Sequence, residues 1–447
     1  MKPISVALLH VINDRAHSAM NKDLNGGFGT ADYFGNSFTS RILMRYKKKL
    51  VRLPIFSLAV LQAIFKKNGH SVSYYEGELP SKKHDLYLIY GSIVDISNEN
   101  NVAKHLKKNF PKSRVGFVGP FPSTRPDLFT SGDFVLIGDP EPFFMHEFKD
   151  LGKLSGNIQV TAPTSFDELP TPDYDGFLID KYSYIPLIKK PFLTLQASKG
   201  CPFSCKYYCV YGQYQGPKIN QRSPKKVVDD IVALQKKYGV RAIQFRDPVF
   251  GLRKEFIPEF CKELKKRKVS VSWGMETRLD ILNEDNVRQM YEAGLRNINV
   301  GIETYDKEVA RLNKRVLIQK QHQEHIISFC NKIGVNISAF YILGYQGDTP
   351  NVIRENIKYA CSLNTVFVRF AVSTPYPGTD FYTQIEKEGK LLTKDYEKYN
   401  QFGLVFKHDN FTPKEMATLL DEAYRTYFFR PSYLAAYAYW RIRNLFS

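Results

Sequence analysis

The sequence has 447 residues, more than one hydrophobic core usually supports, so two or three domains are expected. Hydrophobic residues make up 43% of the chain and charged residues 24%, a globular composition that excludes a disordered or fibrous protein. The net charge of +18 permits nucleic acid, an anionic membrane or a phosphorylated substrate as a partner, without choosing among them.

Residues 1–150 alternate short apolar runs with helical patterns, which predicts a small doubly wound domain with a parallel sheet. The predicted strands are 4–11, 71–75, 85–90, 114–118 and 134–137, and the predicted helices are 54–68 and 97–110. Residues 12–53 form an unusually long connection, and such connections are often functional. Within it, residues 41–52 contain basic residues and no acid, a pattern interpreted as a solvated charged face.

The next segment, residues 151–190, is rich in proline and is predicted to be a linker. Residues 191–390 then repeat a strand–helix pattern six times, which predicts a partial (βα)6 barrel with its chemistry at the C-terminal strand ends. The predicted strands are 192–197, 242–246, 269–273, 298–301, 336–343 and 366–372. Residues 391–447 are predicted to be mostly helical, and they end in an aromatic and arginine-rich stretch.

Three cysteines, Cys201, Cys205 and Cys209, follow the first predicted strand of the barrel. Three thiolates on one loop can ligate three irons of a 4Fe–4S cluster and leave the fourth iron open. Zinc is the alternative, but a structural zinc site needs four ligands, and the sequence has no second cysteine pair. The dispersed cysteines suggest reduced thiols, and no apolar run reaches the roughly 18 residues that span a bilayer, so we expect a cytoplasmic protein.

The segment from Ala197 to Cys209 resembles the cysteine motif of the radical S-adenosylmethionine superfamily, Cys-x3-Cys-x2-Cys. Three residues separate Cys205 from Cys209 here, which suggests a one-residue insertion, with Tyr208 at the usual third-cysteine position. Further segments resemble the family's strand-end motifs in the expected order: 243–247, 273–280, 300–303, 341–349 and 375–379.

The resemblance implies a 4Fe–4S cluster on the three cysteines that cleaves S-adenosylmethionine reductively, with electrons from an external low-potential donor. It also implies that the cosubstrate is contacted by a set of residues near the strand ends: Tyr207, Asp247, Arg278, Glu303 and Gly344. Arg278 is expected to pair with its carboxylate, and Asp247 or Glu303 with its amino group or ribose hydroxyls. The alternative for Arg278 or Glu303 is an ion pair with a neighbouring side chain.

The N-terminal domain resembles the cobalamin-binding domain that precedes many such barrels, on residues 90–94, 118–124 and 137–141. The resemblance implies cobalamin contacts from Ser92, Gly119, Thr124 and Gly138. The motif Asp-x-His-x-x-Gly, which supplies a lower axial ligand, is absent, as in many members of this branch. The alternative is a domain that keeps the fold without the cofactor.

The resemblance implies cobalamin-dependent C-methylation of a small biosynthetic intermediate; radical rearrangement or cyclisation without methyl transfer remains the alternative. The alternative outside the enzymes is a nucleic-acid-binding protein whose fold is stabilised by a bound metal. We disfavour nucleic acid as a partner. Residues 428–446 combine arginines with large aromatic side chains, which is typical of interfacial helices. They are expected either to contact a membrane surface or amphiphilic substrate, or to cap the barrel.

Overall fold

The computed structural model describes residues 2–13, 19–32, 38–163 and 165–445. It contains two six-stranded sheets that follow one another along the chain, and all neighbouring strands in both are parallel. This confirms the predicted α/β class. Within these ranges, the helices are all too short or too polar to cross a membrane.

The first domain is a doubly wound sheet. Its elements are β1 (Ser5–His10), β2 (Ala19–Asn21), β3 (Thr30–Asp32), α1 (Phe38–Leu50), β4 (Val51–Arg52), α2 (Phe56–Lys67), β5 (Ser71–Glu76), β6 (Leu86–Tyr90), α3 (Ile96–Asn109), β7 (Arg114–Val118), α4 (Pro120–Thr124), β8 (Phe134–Ile137), α5 (Pro140–Pro142) and β9 (Gly156–Gln159). The strand order is β5-β1-β6-β7-β8-β9, so the winding direction reverses between β1 and β6. Ligands of such sheets bind in the crevice beside that reversal.

The sixth strand of this sheet, β9, lies in the segment that was expected to be a linker. Its sequence, Gly-Asn-Ile-Gln, has a single apolar residue and therefore gives no strand pattern. It pairs in parallel with β8 at the edge of the sheet. The sheet of the first domain thus extends to Gln159, past the boundary at residue 150.

The second domain is an open half-barrel followed by helices. Its elements are β10 (Ser183–Tyr184), β11 (Phe192–Leu195), β12 (Ser198–Lys199), α6 (Val210–Tyr214), β13 (Asn220–Gln221), α7 (Pro224–Tyr238), β14 (Ala242–Phe245), α8 (Phe256–Lys266), β15 (Ser272–Thr277), α9 (Glu284–Glu292), β16 (Leu295–Glu303), α10 (Lys307–Leu312), α11 (Lys320–Ile333), β17 (Asn336–Leu343), α12 (Pro350–Leu363), β18 (Phe367–Val372), α13 (Asp380–Lys387), α14 (Pro413–Phe428) and α15 (Pro431–Leu445). The strand order β11-β14-β15-β16-β17-β18 follows the chain.

One barrel strand lies later than its sequence pattern indicates. The apolar residues of 269–273 predicted the third strand there, whereas β15 runs from Ser272 to Thr277. Its polar end is held by pairing with β16, where Thr277 lies opposite Val300. The strand therefore carries Glu276 to the carboxyl edge of the sheet, where the chemistry of such barrels is found.

Local signals explain where several barrel helices begin. Helix α7 starts with Ser223, whose hydroxyl accepts from the Lys226 amide at 3.3 Å, followed by Pro224 in the first turn. Helix α14 starts with a capping box between Thr412 and Glu415. These contacts satisfy amide groups that the first helical turn leaves without partners.

Candidate active site

The three cysteines lie on the loop that leaves the carboxyl end of β11. Gly200 has φ +95°, and a Cβ there would lie 2.0 Å from the Lys218 carbonyl oxygen, so this tight loop requires glycine. The Cys201 amide donates to the Gly216 carbonyl at 2.9 Å, and the Cys209 amide donates to the Cys205 carbonyl at 3.0 Å. The loop is thus closed by its own backbone.

The thiols of this loop differ in their ease of ionisation. A hydrogen bond from Cys209 lowers the pKa of Cys205 to about 7, and the positive charges of Arg315 and Arg278 act in the same direction. Burial raises the pKa of Cys201. Iron is ligated by thiolate, so all three thiols lose their protons when a cluster binds.

Three cysteines on one loop match the donor set of a 4Fe–4S cluster, whereas a structural zinc ion takes four ligands. Among the described residues, no three His, Cys, Asp or Glu side chains are placed to hold one ion. Three thiolates around one zinc would have to converge on a common centre about 2.3 Å from each sulfur. In a 4Fe–4S cluster each thiolate binds its own iron, which suits three donors spread along one loop.

Glu303 is the centre of a buried polar cluster beside the cysteines. The end of β16 shifts register between Gly301 and Glu303, and Glu303 adopts φ +66°, which is rare for a side-chain-bearing residue. Its carboxylate accepts from the Tyr345 hydroxyl at 2.9 Å and from Tyr208, and Arg315 Nε lies 3.3 Å away. A strained backbone held by this many partners is typical of functional sites.

Arg278 lies beside the cysteine loop, but its charge already has a partner. Its guanidinium donates to Asp280 at 3.0 and 2.7 Å and stacks 4.1 Å above the ring of Phe203, which stands between the first two cysteines. The ion pair that the sequence left open as an alternative is thus present. An arriving carboxylate could still use the donors that Asp280 leaves free.

Asp247 is turned into the protein at the start of the cysteine loop. Its buried carboxylate accepts from the Ala197 amide at 3.0 Å and the Ser198 hydroxyl at 2.7 Å. Burial raises its pKa to about 6. Asp247 therefore fixes the exit of β11, which positions the loop.

Tyr207 and Gly344 also have structural partners. The Tyr207 hydroxyl donates to Gln384 at 2.7 Å, and Lys314 lies 4.6 Å from its ring centre. Gly344 has φ +77°, and its amide donates to Asp348 at 2.9 Å. Each is followed in the chain by a tyrosine, Tyr208 or Tyr345, that lines a cavity at the mouth of the half-barrel.

A cavity of about 650 Å³ opens from the cysteine loop across the mouth of the half-barrel. Its inner end is lined by Cys209, Glu303 and Glu276, and most of the remaining wall is apolar or aromatic. Carboxylates beside the cluster ligands can receive the ammonium and hydroxyl groups of S-adenosylmethionine. Of the predicted site residues, Cys209 and Glu303 face this cavity together.

Sequence reasoning missed the polar residues that form the inner wall. Arg246 is buried, contacts Glu276 and donates to Asp23 at 2.9 Å. Tyr211 donates to Glu276 at 3.5 Å. Arg246 and Glu276 lie inside the segments 243–247 and 273–280, which resemble the family's strand-end motifs. Their positions at the ends of strands could have identified them as site residues. Asp23 gave none, because it is 223 residues from its partner in the chain.

A second cavity lies between the strand ends of the first domain and the cysteine loop. It has a volume of about 70 Å³ and is lined by Gly119, Tyr90 and Asp139 on one side and by Lys199 and Tyr214 on the other. A corrin ring needs many times the roughly 30 Å³ that one water takes up. Cobalamin therefore does not fit this cavity in the conformation seen here.

Residues 19–32 fill the crevice beside the strand reversal. Lys22 is fully buried and donates to Asp95 at 3.1 Å and to Glu99 at 2.5 Å. The Phe28 carbonyl accepts from the Ile93 amide at 2.9 Å. This segment belongs to the long connection 12–53, of which residues 14–18 and 33–37 lie outside the described part of the chain.

The residues predicted to contact cobalamin are placed around this crevice. Ser92 is buried, and its hydroxyl donates to Glu99 at 2.8 Å. Thr124 donates to the Pro120 carbonyl at 2.9 Å. Gly119 and Gly138 end two neighbouring strands with φ +120° and +114°, and Gly119 lines the small cavity. The hydroxyls therefore serve the protein, while the glycines leave the backbone open to close approach.

Comparison with known proteins identifies the second domain. Residues 195–360 match the family described as the Radical SAM superfamily. An uncharacterized methyltransferase of Pyrococcus horikoshii is 27% identical over 287 residues, which are 64% of this chain and 61% of the relative. The anaerobic magnesium-protoporphyrin IX monomethyl ester cyclase of Rubrivivax gelatinosus is 30% identical over 268 residues, 59% of this chain and 47% of the relative. The chain thus spans about half to three-fifths of the length of these curated relatives.

A solved structure shares the two-domain fold. OxsB, a cobalamin-dependent S-adenosylmethionine radical enzyme solved with aqua-cobalamin and S-adenosylmethionine bound, aligns with a TM-score of 0.66 and 15% identity. The alignment covers 99% of this chain and 71% of that chain. The likeness to OxsB shows a shared fold, and the match of residues 195–360 to the Radical SAM superfamily agrees with the family resemblance of the motifs.

Proposed function

We propose that this protein cleaves S-adenosylmethionine reductively with a 4Fe–4S cluster and methylates carbon in a small biosynthetic molecule, with cobalamin as a second cofactor. The observation that carries the proposal is that Cys209 and Glu303 line one cavity large enough for the cosubstrate and part of a substrate. The likeness to a relative named as a methyltransferase and to a cobalamin-dependent enzyme supports the choice of reaction.

Each residue has a stated part in this proposal. The cluster supplies an electron to the sulfonium of S-adenosylmethionine, and the protein binds and orients the reactants. Cys201, Cys205 and Cys209 hold the cluster. Glu303 receives the amino group or the ribose hydroxyls, Arg278 pairs with the carboxylate, and the surrounding aromatic wall excludes water.

Cobalamin has a place in this proposal only if residues 19–32 move. The crevice of the first domain faces the cysteine loop, which is where a second cofactor would meet the substrate cavity. Residues 23–27 stand in that space, since Asp23, Gly26 and Gly27 line the 70 Å³ cavity. Binding of a corrin there would have to break the contacts of Lys22 with Asp95 and Glu99.

Two further partners belong to the proposal. We propose that an external low-potential donor supplies the electron. The segment predicted to contact a membrane is 428–446, of which residue 446 lies outside the described part of the chain. We propose that residues 428–442 make peripheral membrane contact.

The test is anaerobic reconstitution with iron and sulfide, followed by addition of S-adenosylmethionine and a low-potential reductant. We expect a brown protein that releases 5′-deoxyadenosine, and a Cys205→Ala variant that does neither. A colourless zinc protein with salt-sensitive affinity for RNA or DNA would instead support the nucleic-acid alternative.

Ring closure without methyl transfer is the alternative reaction, and a relative named as a cyclase is 30% identical over 268 residues. The two reactions differ in the fate of the S-adenosylmethionine methyl group. Methyl transfer yields S-adenosylhomocysteine, which ring closure does not form. Its presence or absence in the product mixture decides between them once a substrate is supplied.

A further inference from the structure

The large cavity has an open, apolar mouth. Three residues that line it are also exposed to solvent: Ile42 by 48%, Phe429 by 53% and Leu434 by 54%. A residue that is both a wall of a cavity and exposed stands at its entrance. Large apolar side chains at an entrance are costly in water and mark a surface that meets something apolar.

Helix α15, which forms one side of this mouth, is apolar on two faces. Its inner face packs on the barrel, where the Tyr433 hydroxyl donates to the Val366 carbonyl at 3.0 Å and Trp440 lies 5.1 Å from Phe367. Its outer face presents Leu434, Ala438 and Ile442 to solvent, one turn apart. A surface helix normally carries polar residues on the face that is turned to water, whereas α15 carries these apolar residues there.

The charge around the mouth is positive. Helix α1 contributes Ile42 to the entrance and also carries the exposed Arg41 and Arg45. Neither α1 nor α15 contains an aspartate or glutamate, and Arg441 is exposed on α15. Basic residues flanking exposed apolar ones complement an anionic bilayer, which attracts the former and buries the latter.

The interior of the cavity combines charged and apolar side chains. Glu303, Glu276 and Arg246 are charged wall residues that line the cavity together with Cys209, and Lys47 and Arg369 add two positive charges to the wall. Most of the remaining wall is apolar or aromatic, and it includes Phe340, Ile342, Val368 and Phe428. Such a channel favours a molecule with a long apolar body, because each buried CH₂ group contributes about 0.8 kcal/mol.

We propose that α1 and α15 dock on an anionic phospholipid surface with the cavity mouth facing the lipid, and that the substrate is a membrane-resident molecule with an elongated apolar body. The second half of this proposal rests on the proposed function, since it names the substrate class of the same site. The first half does not depend on catalysis and can be tested alone.

Vesicle co-sedimentation of the full chain tests the docking surface. We expect binding to vesicles of 30% phosphatidylglycerol in phosphatidylcholine, weaker binding to pure phosphatidylcholine, and loss on raising the salt concentration. A double variant, Leu434→Glu with Ile442→Glu, is expected to bind at least tenfold more weakly. The matched control is Leu79→Glu with Val232→Glu, two exposed apolar residues that do not line the mouth; it should bind as the parent does.

Two results would overturn the docking surface. Equal sedimentation of both double variants would show that α15 does not contact lipid. A parent protein that is dimeric by light scattering, with the α15 variant monomeric, would show that a second copy of the chain covers this face instead.

Binding of cis-parinaric acid, a fluorescent molecule with a long apolar chain, tests the cavity. We expect saturable binding of one molecule per chain, and a loss of at least tenfold in affinity in Ala371→Phe, which adds a large ring to the cavity wall. That variant should sediment with vesicles like the parent. No saturable binding by the parent overturns the substrate class, whereas failure to cleave S-adenosylmethionine would overturn only the proposed function.

Discussion

Tyr208 stands at the position where the family's third cysteine is usually found, and the structure shows what the extra residue does. Its buried ring packs against Tyr345 at 5.2 Å, and its hydroxyl donates to Glu303. Cys209 follows it and lines the same cavity. The longer spacing between Cys205 and Cys209 therefore keeps a thiol at the cavity wall and adds a phenol to the polar side chains around Glu303.

Replacement of Cys209 by alanine tests whether this displaced cysteine is still a cluster ligand. We expect Cys209→Ala to lose the reconstituted cluster and 5′-deoxyadenosine formation, because two thiolates cannot hold three irons. Iron and sulfide content after anaerobic reconstitution is the measurement. Cys361→Ala, which changes a half-buried cysteine on α12, should retain full content. A Cys209→Ala protein with a complete cluster would contradict the assignment.

Glu303→Gln tests the proposed cosubstrate contact. A hydrogen bond to a charged group contributes about 2 kcal/mol, so we expect S-adenosylmethionine to bind roughly 30-fold more weakly. Cluster content should not change, because Glu303 is not a ligand. Calorimetric titration of the reconstituted protein gives the affinity. The control, Glu308→Gln, alters an exposed carboxylate that pairs with Arg311; equal affinities in both variants would refute the contact.

At the scale of elements, the segment formed by β2, β3 and the turn between them lies between the sheet of the first domain and the barrel. It places Lys22 in the crevice, Asp23 against Arg246, and Gly26 and Gly27 in the wall of the small cavity. A buried lysine paired with two buried carboxylates is costly to separate. The segment is therefore held in the space that a corrin would need.

Lys22→Met tests whether this segment competes with cobalamin. The change removes the contacts to Asp95 and Glu99, so we expect cobalamin to associate at least tenfold faster. Stopped-flow absorbance after mixing with hydroxocobalamin measures the rate. Lys66→Met is the control, since Lys66 pairs with Asp173 and Asp175 outside the crevice. Identical rates in the two variants would show that the segment does not limit access.

At the scale of the whole molecule, the two domains share a wall. Arg246 and Tyr211 line both the 650 Å³ cavity of the barrel and the 70 Å³ cavity at the first domain. Asp23, from the first domain, holds Arg246 at 2.9 Å. A displacement of Asp23 in the first domain can therefore shift Arg246, which lines the substrate cavity, with no other side chain between them.

Cobalamin titration of the intact protein, followed by electron paramagnetic resonance of the cob(II)alamin state, tests the two-domain arrangement. We expect one cobalamin per chain without nitrogen hyperfine splitting from a protein histidine. The residues that line the small cavity include no histidine. His10, at the end of β1, is buried, and its ring lies 3.3 Å from the Tyr74 hydroxyl. Absence of stoichiometric binding would leave a radical enzyme without cobalamin.

The sequence by itself determined what depends on neighbouring residues. The cysteine spacing, the strand–helix alternation and the caps of α7 and α14 are local, and β7, β8 and β17 lie where their apolar patterns placed them. The three cysteines and Glu303 were recognised because motifs keep their residues close together in the chain.

Only the tertiary structure decided what depends on packing between distant segments. It placed β9 at the sheet edge, brought Lys22 and Asp23 of the long connection to Glu99 and Arg246, and put Phe429 and Leu434 at the cavity mouth. It also gave Ser92, Asp247 and Arg278 internal partners. The contacts of Lys22, Asp23 and Asp247 join residues 49 to 223 positions apart, and shape and burial select them where local periodicity cannot.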